Sequence, residues 1–435
     1  MTVLAQVGDR EVAPSNAKLI AASTFGTIVE WYDFFIYGTA AALVFGNVFF
    51  PTSNAVVSTL AAFSVFAVGY IARPLGGILF GHFGDRIGRR SMLVLSIILM
   101  GAGTFLVGLL PGYDQIGIAA PILLVLLRLV QAIGLGGEWG GAVLMVAETV
   151  PPNRRGFFGS LVQLGNPIGR LVATGVFALA TQLPQSDFLK WGWRLPFLAS
   201  IILVVIGVFI RTRLEETPAF QKMQGTKTTV KMPVIEALTT FKKETLIAIG
   251  LKVTEVAWVN VLSVFAVAYL TKQLGMSKSF ILTVVTVATF IELGVMPLAG
   301  WLSDIVGRKP LYLFGTLFGA AFAFPLFWLL ESQNPTLVAL GIITGICICQ
   351  GVVFALHASF MPELFGTKVR YSGISLGFQI GAAIGGGITP LLAAAVTGWT
   401  DGATWPISVF LILLSILTTI AVLSSREMSR ASIEP

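Results

Sequence analysis

Along most of the chain polar positions are sparse, and apolar ones come in runs of about 20 residues, the length a helix needs to cross a bilayer core. The runs lack the two-residue alternation of a membrane barrel, so helices are the structure that satisfies their backbone in lipid. The pattern predicts twelve spans. Six lie near 19–46, 56–80, 91–110, 118–147, 157–182 and 190–210, and six near 246–271, 280–300, 310–330, 336–361, 372–397 and 404–424. A single long polar connection, 211–245, separates two six-span halves, 19–210 and 246–424, and polar ends cover 1–18 and 425–435.

Composition narrows the class. Of 435 residues, 55% are hydrophobic and 11% charged, against roughly a quarter charged in soluble domains. Mean hydropathy is +0.87. An all-α integral membrane protein is expected, and a soluble globular domain is excluded. The net charge of +7 raises the question of an acidic partner, but its placement answers it. Of 28 Lys and Arg, 20 fall in 81–92, 151–156, 211–243, 308–309, 366–370 and the two ends. The intervening loops hold Lys190, Arg194, Lys272 and Lys278. That asymmetry predicts both termini in the cytoplasm, with no need for nucleic-acid binding. Cys347 and Cys349 share one apolar run and point to different helix faces, as small packing residues. The N-terminal stretch shows no signal-peptide pattern, so the first apolar run is expected to stay as a span.

The two halves repeat each other. GHFGDRIGRR (81–90) follows the second span and GWLSDIVGRK (300–309) the eighth, with Gly, Asp, Gly and Arg at equal spacing. Glu148 and Arg155 follow the fourth span, Glu363 and Arg370 the tenth, at the same separation. QLGNPIGR (163–170) mirrors QIGAAIGG (379–386). A parallel six-span duplication is the plan of carriers whose halves rock around a site at the bilayer midplane.

With both glycine-aspartate loops in place, the chain resembles the major facilitator superfamily over nearly its whole length. EWYDFFIYG, RPLGGILFGHFGDRIGRR, GGEWGGA, WGWRLPF and PELFGTKVRYSG resemble the metabolite:proton symporter family within it. The resemblance implies a major facilitator fold and proton-coupled transport of an organic acid such as shikimate or a dicarboxylate. Betaine and proline carriers belong to the same group. Its osmosensing members carry a coiled-coil extension, for which REMSRASIEP supplies no heptads.

The paired loops suggest a gate at the cytoplasmic edge. Asp85 can accept hydrogen bonds from a neighbouring helix N-terminus while Arg89 pairs across the halves, and Asp304 and Arg308 repeat the arrangement. Glu148 with Arg155, and Glu363 with Arg370, are expected as further members. Topology alone is the plainer account of these charges, but it does not require the fixed glycines and aspartate.

Charges inside the spans cost several kcal/mol each and mark candidate sites. They are Glu30, Asp33, Arg73, Arg128, Glu138, Arg170, Lys252, Glu255 and Glu292. Gly26, Glu30, Asp33 and Tyr37 are spaced four, three and four, one helical stripe that is expected to face the cavity. Two buried carboxylates on adjacent turns repel, which favours proton uptake by one of them. The alternative is permanent pairing with arginines. The resemblance favours Asp33 as the coupling acid, because it matches an aspartate that a fourth-span arginine partners in related sugar–proton symporters. Arg128 and Gln131 match that fourth-span motif, with Ala132 in place of its glycine, and Gln131 and Tyr37 are expected to meet substrate. Glu30 is either a second titrating group or a fixed partner.

Arg170 has no charged counterpart in the repeat, where Gly386 stands. Its planar fork suits a substrate carboxylate. A pair with Glu138 or with a first-span acid is the other reading. Glu138 lies among glycines that suggest close helix packing, and it is either structural or substrate-facing. The repeat aligns Arg73 with Glu292 without saying whether they pair. Lys252 and Glu255 either neutralise each other or give substrate a second cation, with Trp258 as a wall and Asn260 as a hydrogen-bonding group. His357 is a packing residue or a proton site.

No metal-ligand or catalytic motif is present, and the linker is too short for a nucleotide domain. The expected energy source is a proton gradient, with no cofactor and no enzymatic activity. The expected protein is a monomeric importer in a bacterial inner membrane. A metabolite receptor that moves nothing is the reading from another class.

Overall fold

The structure is a computed structural model. It describes residues 14–87, 89–212, 238–365, 370–400 and 402–427, with the side chains of 14–16, 81–91 and 93 outside the description. Twelve helical spans follow in order. The first is Pro14–Ala40, carried on to Val48 by a π-turn at Ala41–Phe45. The second and third are Ala55–Ile87 and Arg89–Leu109. The fourth joins Ala119–Leu135 to Glu138–Thr149, and the fifth joins Arg155–Gln163 to Gly165–Ala180. The sixth is Leu195–Thr212. The seventh starts at Lys242, four residues before the expected position, and reaches Gln273 through two π-turns. The eighth and ninth are Lys278–Val306 and Arg308–Glu331. The tenth runs from Pro335 to Leu364 around a π-turn at Gly345–Val352. The eleventh runs from Arg370 to Trp399 around another at Ala383–Gly387, and the twelfth is Trp405–Ser424.

The expected spans are therefore all present. Among the described residues, ten are long and apolar enough to cross a membrane. The other two are the third, whose apolar part is Val94–Leu109, and the fifth, interrupted at Leu164. The interruption lies two residues before Asn166 and six before Arg170.

Burial separates central from peripheral helices. The apolar windows of the first and seventh spans are 94% and 100% buried, against 33% for the sixth. Glu30, Asp33, Lys252 and Glu255 lie in those central two, so their charges meet protein and not lipid. The sixth and twelfth spans present Ile202, Val205, Leu413 and Ile420 outward. The halves meet where the eighth span packs on the fifth and where the eleventh packs on the second. These two seams are equivalent under the internal repeat.

Two glycines are needed at close quarters. A Cβ on Gly136 would overlap the backbone of Gly76 and Gly77, so this glycine lets the fourth span touch the second. Gly307, between the eighth and ninth spans, has φ +101° and ψ 162°, a conformation only glycine adopts without strain. That is the physical reason for the second glycine of the repeated loop motif. With twelve crossings, residues 14 and 427 share one end of the bundle, called here the terminal end.

Candidate functional site

Asp33 is held within the first half. Arg128 Nη1 lies 3.6 Å from its Oδ2. Thr104 Oγ1 donates to Oδ1, and Gln131 Nε2 donates to Oδ1 at 3.1 Å and to Thr104 at 2.8 Å. The Arg128 guanidinium lies over the Tyr37 ring at 4.0 Å, and Gly69 leaves room for it. The expected Asp33–Arg128 pair is thus formed. Gln131, expected to meet substrate, is instead spent on Asp33, and Tyr37 supports Arg128.

The stripe does not face the gap between the halves, as the sequence had suggested. Gly26 abuts Glu138 and Arg211, Asp33 meets the third and fourth spans, and all of these belong to the first half. The opposite, aromatic face looks across. Trp31 meets Phe354 of the tenth span edge-on at 5.3 Å. Phe35 covers Arg170 at 4.7 Å. The reason is charge: carboxylates turn to the cations of their own half, leaving rings to form the seam.

Glu30 differs from the other buried acids. No hydrogen bond or ion pair to it occurs among the described residues, and its Oε2 is buried without a partner. Arg73 and Lys252 are the cations whose field reaches it. Arg73 lies over Tyr70 at 4.4 Å and is not paired with Glu292, its counterpart in the repeat. Lys252 bonds Glu255 one turn along the same helix. Its ammonium also lies within an aromatic box, 4.0 Å from the Phe378 ring centre, 4.9 Å from Phe354 and 5.8 Å from Trp31. His357 Nδ1 is 4.0 Å from Glu255 Oε2, and its Nε2 is 2.8 Å from the Tyr312 hydroxyl.

Arg170 does not pair with Glu138 or a first-span acid. It crosses the seam, with Nη1 donating to Glu292 Oε2 at 2.9 Å and Nη2 to Gln350 Oε1 at 2.8 Å. Nη2 also reaches Asn166 of its own helix at 3.0 Å. Asn260 is at the seam too, donating to the Tyr70 hydroxyl at 3.2 Å. Trp258 is not a wall of this region. It turns to the ninth span, beside Gly319 and stacked with Phe322 at 6.5 Å, because the helical position two residues before Asn260 points the other way.

Glu138 is structural in this arrangement. Arg211 Nη2 donates to it at 2.8 Å, and Ser96 Oγ at 3.3 Å. Arg211 was missed in the sequence because it opens the charge-rich linker. With it, the charges buried in the span interiors of the described residues are five acids and five bases, Glu30, Asp33, Glu138, Glu255 and Glu292 with Arg73, Arg128, Arg170, Arg211 and Lys252, while Arg155, Arg308, Glu363 and Arg370 are buried at the terminal end.

At the terminal end, Asp304 caps the fifth span from across the seam. Its oxygens accept from the amides of Gly156 at 2.8 Å and Phe157 at 2.9 Å. Arg308 bonds Asp304 at 2.7 Å and lies 3.5 Å from Glu363. Arg370 is 3.7 Å from Glu148. Glu363 and Arg370 therefore do not pair with each other. Glu148 pairs with Arg370 of the other half and not with Arg155, whose Nε donates to the Ala147 carbonyl at 3.1 Å. A link between halves is what a gate requires, and repeat symmetry supplies it by exchanging partners. Asp85 and Arg89 lie outside the described side chains. The opposite end is bridged by thinner contacts, Lys272 to Thr59 at 3.1 Å and Lys278 to Gln185 at 3.0 Å, beside a cavity of about 130 Å³ lined by Phe63, Phe265 and Tyr269.

Comparison with known proteins agrees with this architecture. Residues 19–434 match the family described as sugar (and other) transporter. The chain is 38% identical to the shikimate transporter of Escherichia coli K12 over 421 residues, covering 96% of both chains. It is 39% identical to the inner membrane metabolite transport protein YhjE of the same organism over 435 residues, covering 98% of both. It is 34% identical to that organism's proline/betaine transporter over 420 residues, 94% of this chain and 83% of the relative. Among solved structures, the proton:xylose symporter XylE bound to 6-bromo-6-deoxy-D-glucose superposes with a TM-score of 0.74 at 18% identity, covering 96% and 97% of the two chains. The chain belongs to the sugar (and other) transporter family. It is a multi-pass membrane transporter and not an enzyme.

Proposed function

We propose that this protein imports a small organic acid together with a proton, by alternating access between its two halves. The observation that carries the reading is the Glu30 carboxylate, which alone among the buried acids of the described residues lacks both a hydrogen bond and an ion pair, within a set of ten charges of the span interiors, five of each sign. An entering carboxylate adds a negative charge to this neutral, water-poor region, at a cost of several kcal/mol by general estimates for buried ions. A proton taken up on a first-span acid cancels it. Asp33, opposed by Arg128, and Glu30 beside it are the carboxylates for that step, and Arg170 is the cation at the seam that receives the substrate. No cofactor is needed, and the working unit is the monomer.

The similarity to a shikimate transporter supports an organic acid such as shikimate or a dicarboxylate. The similarity to a proline/betaine transporter supports a zwitterion as the second reading. The aromatic box weighs against that reading, because Lys252 already fills the place a quaternary ammonium group would take. The arginine- and lysine-rich terminal end belongs in the cytoplasm, and the relative YhjE supports a bacterial inner membrane.

The test is uptake into proteoliposomes of shikimate, 2-oxoglutarate, betaine and proline, with and without an inward proton gradient. Accumulation of a carboxylate that requires the gradient is expected. Uptake confined to betaine or proline would overturn the organic-acid reading. Binding without flux would make the protein a receptor.

A further inference from the structure

We propose that Glu292 is an internal stand-in for the substrate carboxylate, holding Arg170 until an incoming hydroxylated carboxylate displaces it. The inference rests on the organic-acid reading above and adds the site and the device that guards it.

The cluster lies near the middle of the fifth and eighth spans, on the seam between the halves. Arg170 and Glu292 are 1% and 0% exposed, so their contact at 2.9 Å is a buried carboxylate–guanidinium bond. That is the interaction a carboxylate substrate would make with the same arginine. Around it, however, polar atoms are left over. Arg170 Nε, Asn166 Nδ2 and Gln350 Nε2 are buried donors without acceptors, and Glu292 Oε1 is a buried acceptor without a donor. Each orphaned polar atom costs about 1–3 kcal/mol. The four orphans here, two on the ion pair and two on its neighbours, are atoms that a polar ligand at the seam would satisfy.

Their chemistry states which molecule. Three spare donors call for a carboxylate and further oxygens. The one spare acceptor calls for a hydroxyl. A hydroxylated carboxylate answers both, whereas betaine offers a carboxylate but no hydrogen for the spare acceptor. The surroundings also allow Glu292 to move. Its side chain lies against Gly351, which has no Cβ to hold it, and Gln350 and Gly351 belong to the π-turn Gly345–Val352, a local irregularity common at functional sites. While Glu292 holds Arg170, the fifth and eighth spans are tied across the seam. When substrate takes the guanidinium, that tie is released.

The experiment measures shikimate binding by titration calorimetry on purified wild-type, E292Q, E292D and R170Q proteins. It also measures gradient-driven shikimate accumulation by each. E292Q removes the competing charge while keeping shape. Where the competent state is a minor population of about 10% or less, relief of the competitor raises apparent affinity about tenfold or more. Accumulation should be lost in R170Q, which no longer offers the guanidinium to the carboxylate. E292D should bind with intermediate affinity, and R170Q should not bind. Melting curves in the same buffer identify any variant that has not folded, and the remaining substitution at Glu292 then carries the comparison. Wild-type binding with no gain in either Glu292 variant would overturn this inference and leave the transport reading intact. Failure of every variant and the wild type to bind a carboxylate would overturn both.

Discussion

Asp304 of the eighth span accepts a hydrogen bond from the Gly156 amide of the fifth span at 2.8 Å, so a carboxylate of one half caps a helix of the other. The helix N-terminus favours a negative charge, and Phe157 adds a second amide at 2.9 Å. Hydrogen bonds to a charged group contribute about 1.5–3 kcal/mol each. Replacing Asp304 with Asn should therefore destabilise closure of the terminal end and shift the population toward opening there by roughly tenfold or more. Hydrogen exchange at the amides of 156–160 would report it. Unchanged protection in D304N would remove Asp304 from the gate.

Asp33 leads to a transport prediction. Its pairing with Arg128 at 3.6 Å opposes proton binding, and separation of the two would favour it. D33N should lose accumulation against a gradient while keeping substrate exchange between equal pools. Accumulation by D33N at the wild-type level would place proton coupling elsewhere, with Glu30 next to be tested by E30Q.

Arg211 and Glu138 form a buried pair at 2.8 Å. Removing one partner of such a pair typically costs about 3–5 kcal/mol, because the other charge stays buried and uncompensated. R211A should lower the melting temperature sharply, and the double variant R211A/E138A should recover most of the loss. Equal destabilisation by the single and double variants would show that the pair adds nothing beyond packing.

Lys252 sets a limit on specificity. Its ammonium occupies the box of Phe378, Phe354 and Trp31, with Glu255 as counter-ion. Truncation by K252A leaves an acid and three rings around an empty space, the surroundings that bind quaternary ammonium groups. K252A should gain weak binding of betaine, detectable by calorimetry at millimolar concentration, which the wild type lacks. Equal betaine binding by both proteins would show that the lysine does not exclude it.

The sequence by itself determined the twelve spans, the duplication and the set of intramembrane charges other than Arg211. Apolar length and the high cost of a charge in lipid act locally, so they can be read along one dimension. Asp33 with Arg128 was legible through the resemblance to sugar–proton symporters, whose motifs both spans carry. Only the tertiary structure decided the partners. It joined Arg170 to Glu292, Glu148 to Arg370 and Glu138 to Arg211, where the sequence had suggested within-half or undecided pairs. It also turned the acidic stripe into the first half and the aromatic face toward the seam. A charge in a dry interior takes whichever opposite charge the packing brings within a few ångströms. That distance depends on how helices far apart in the chain are rotated against one another, which no local spacing records.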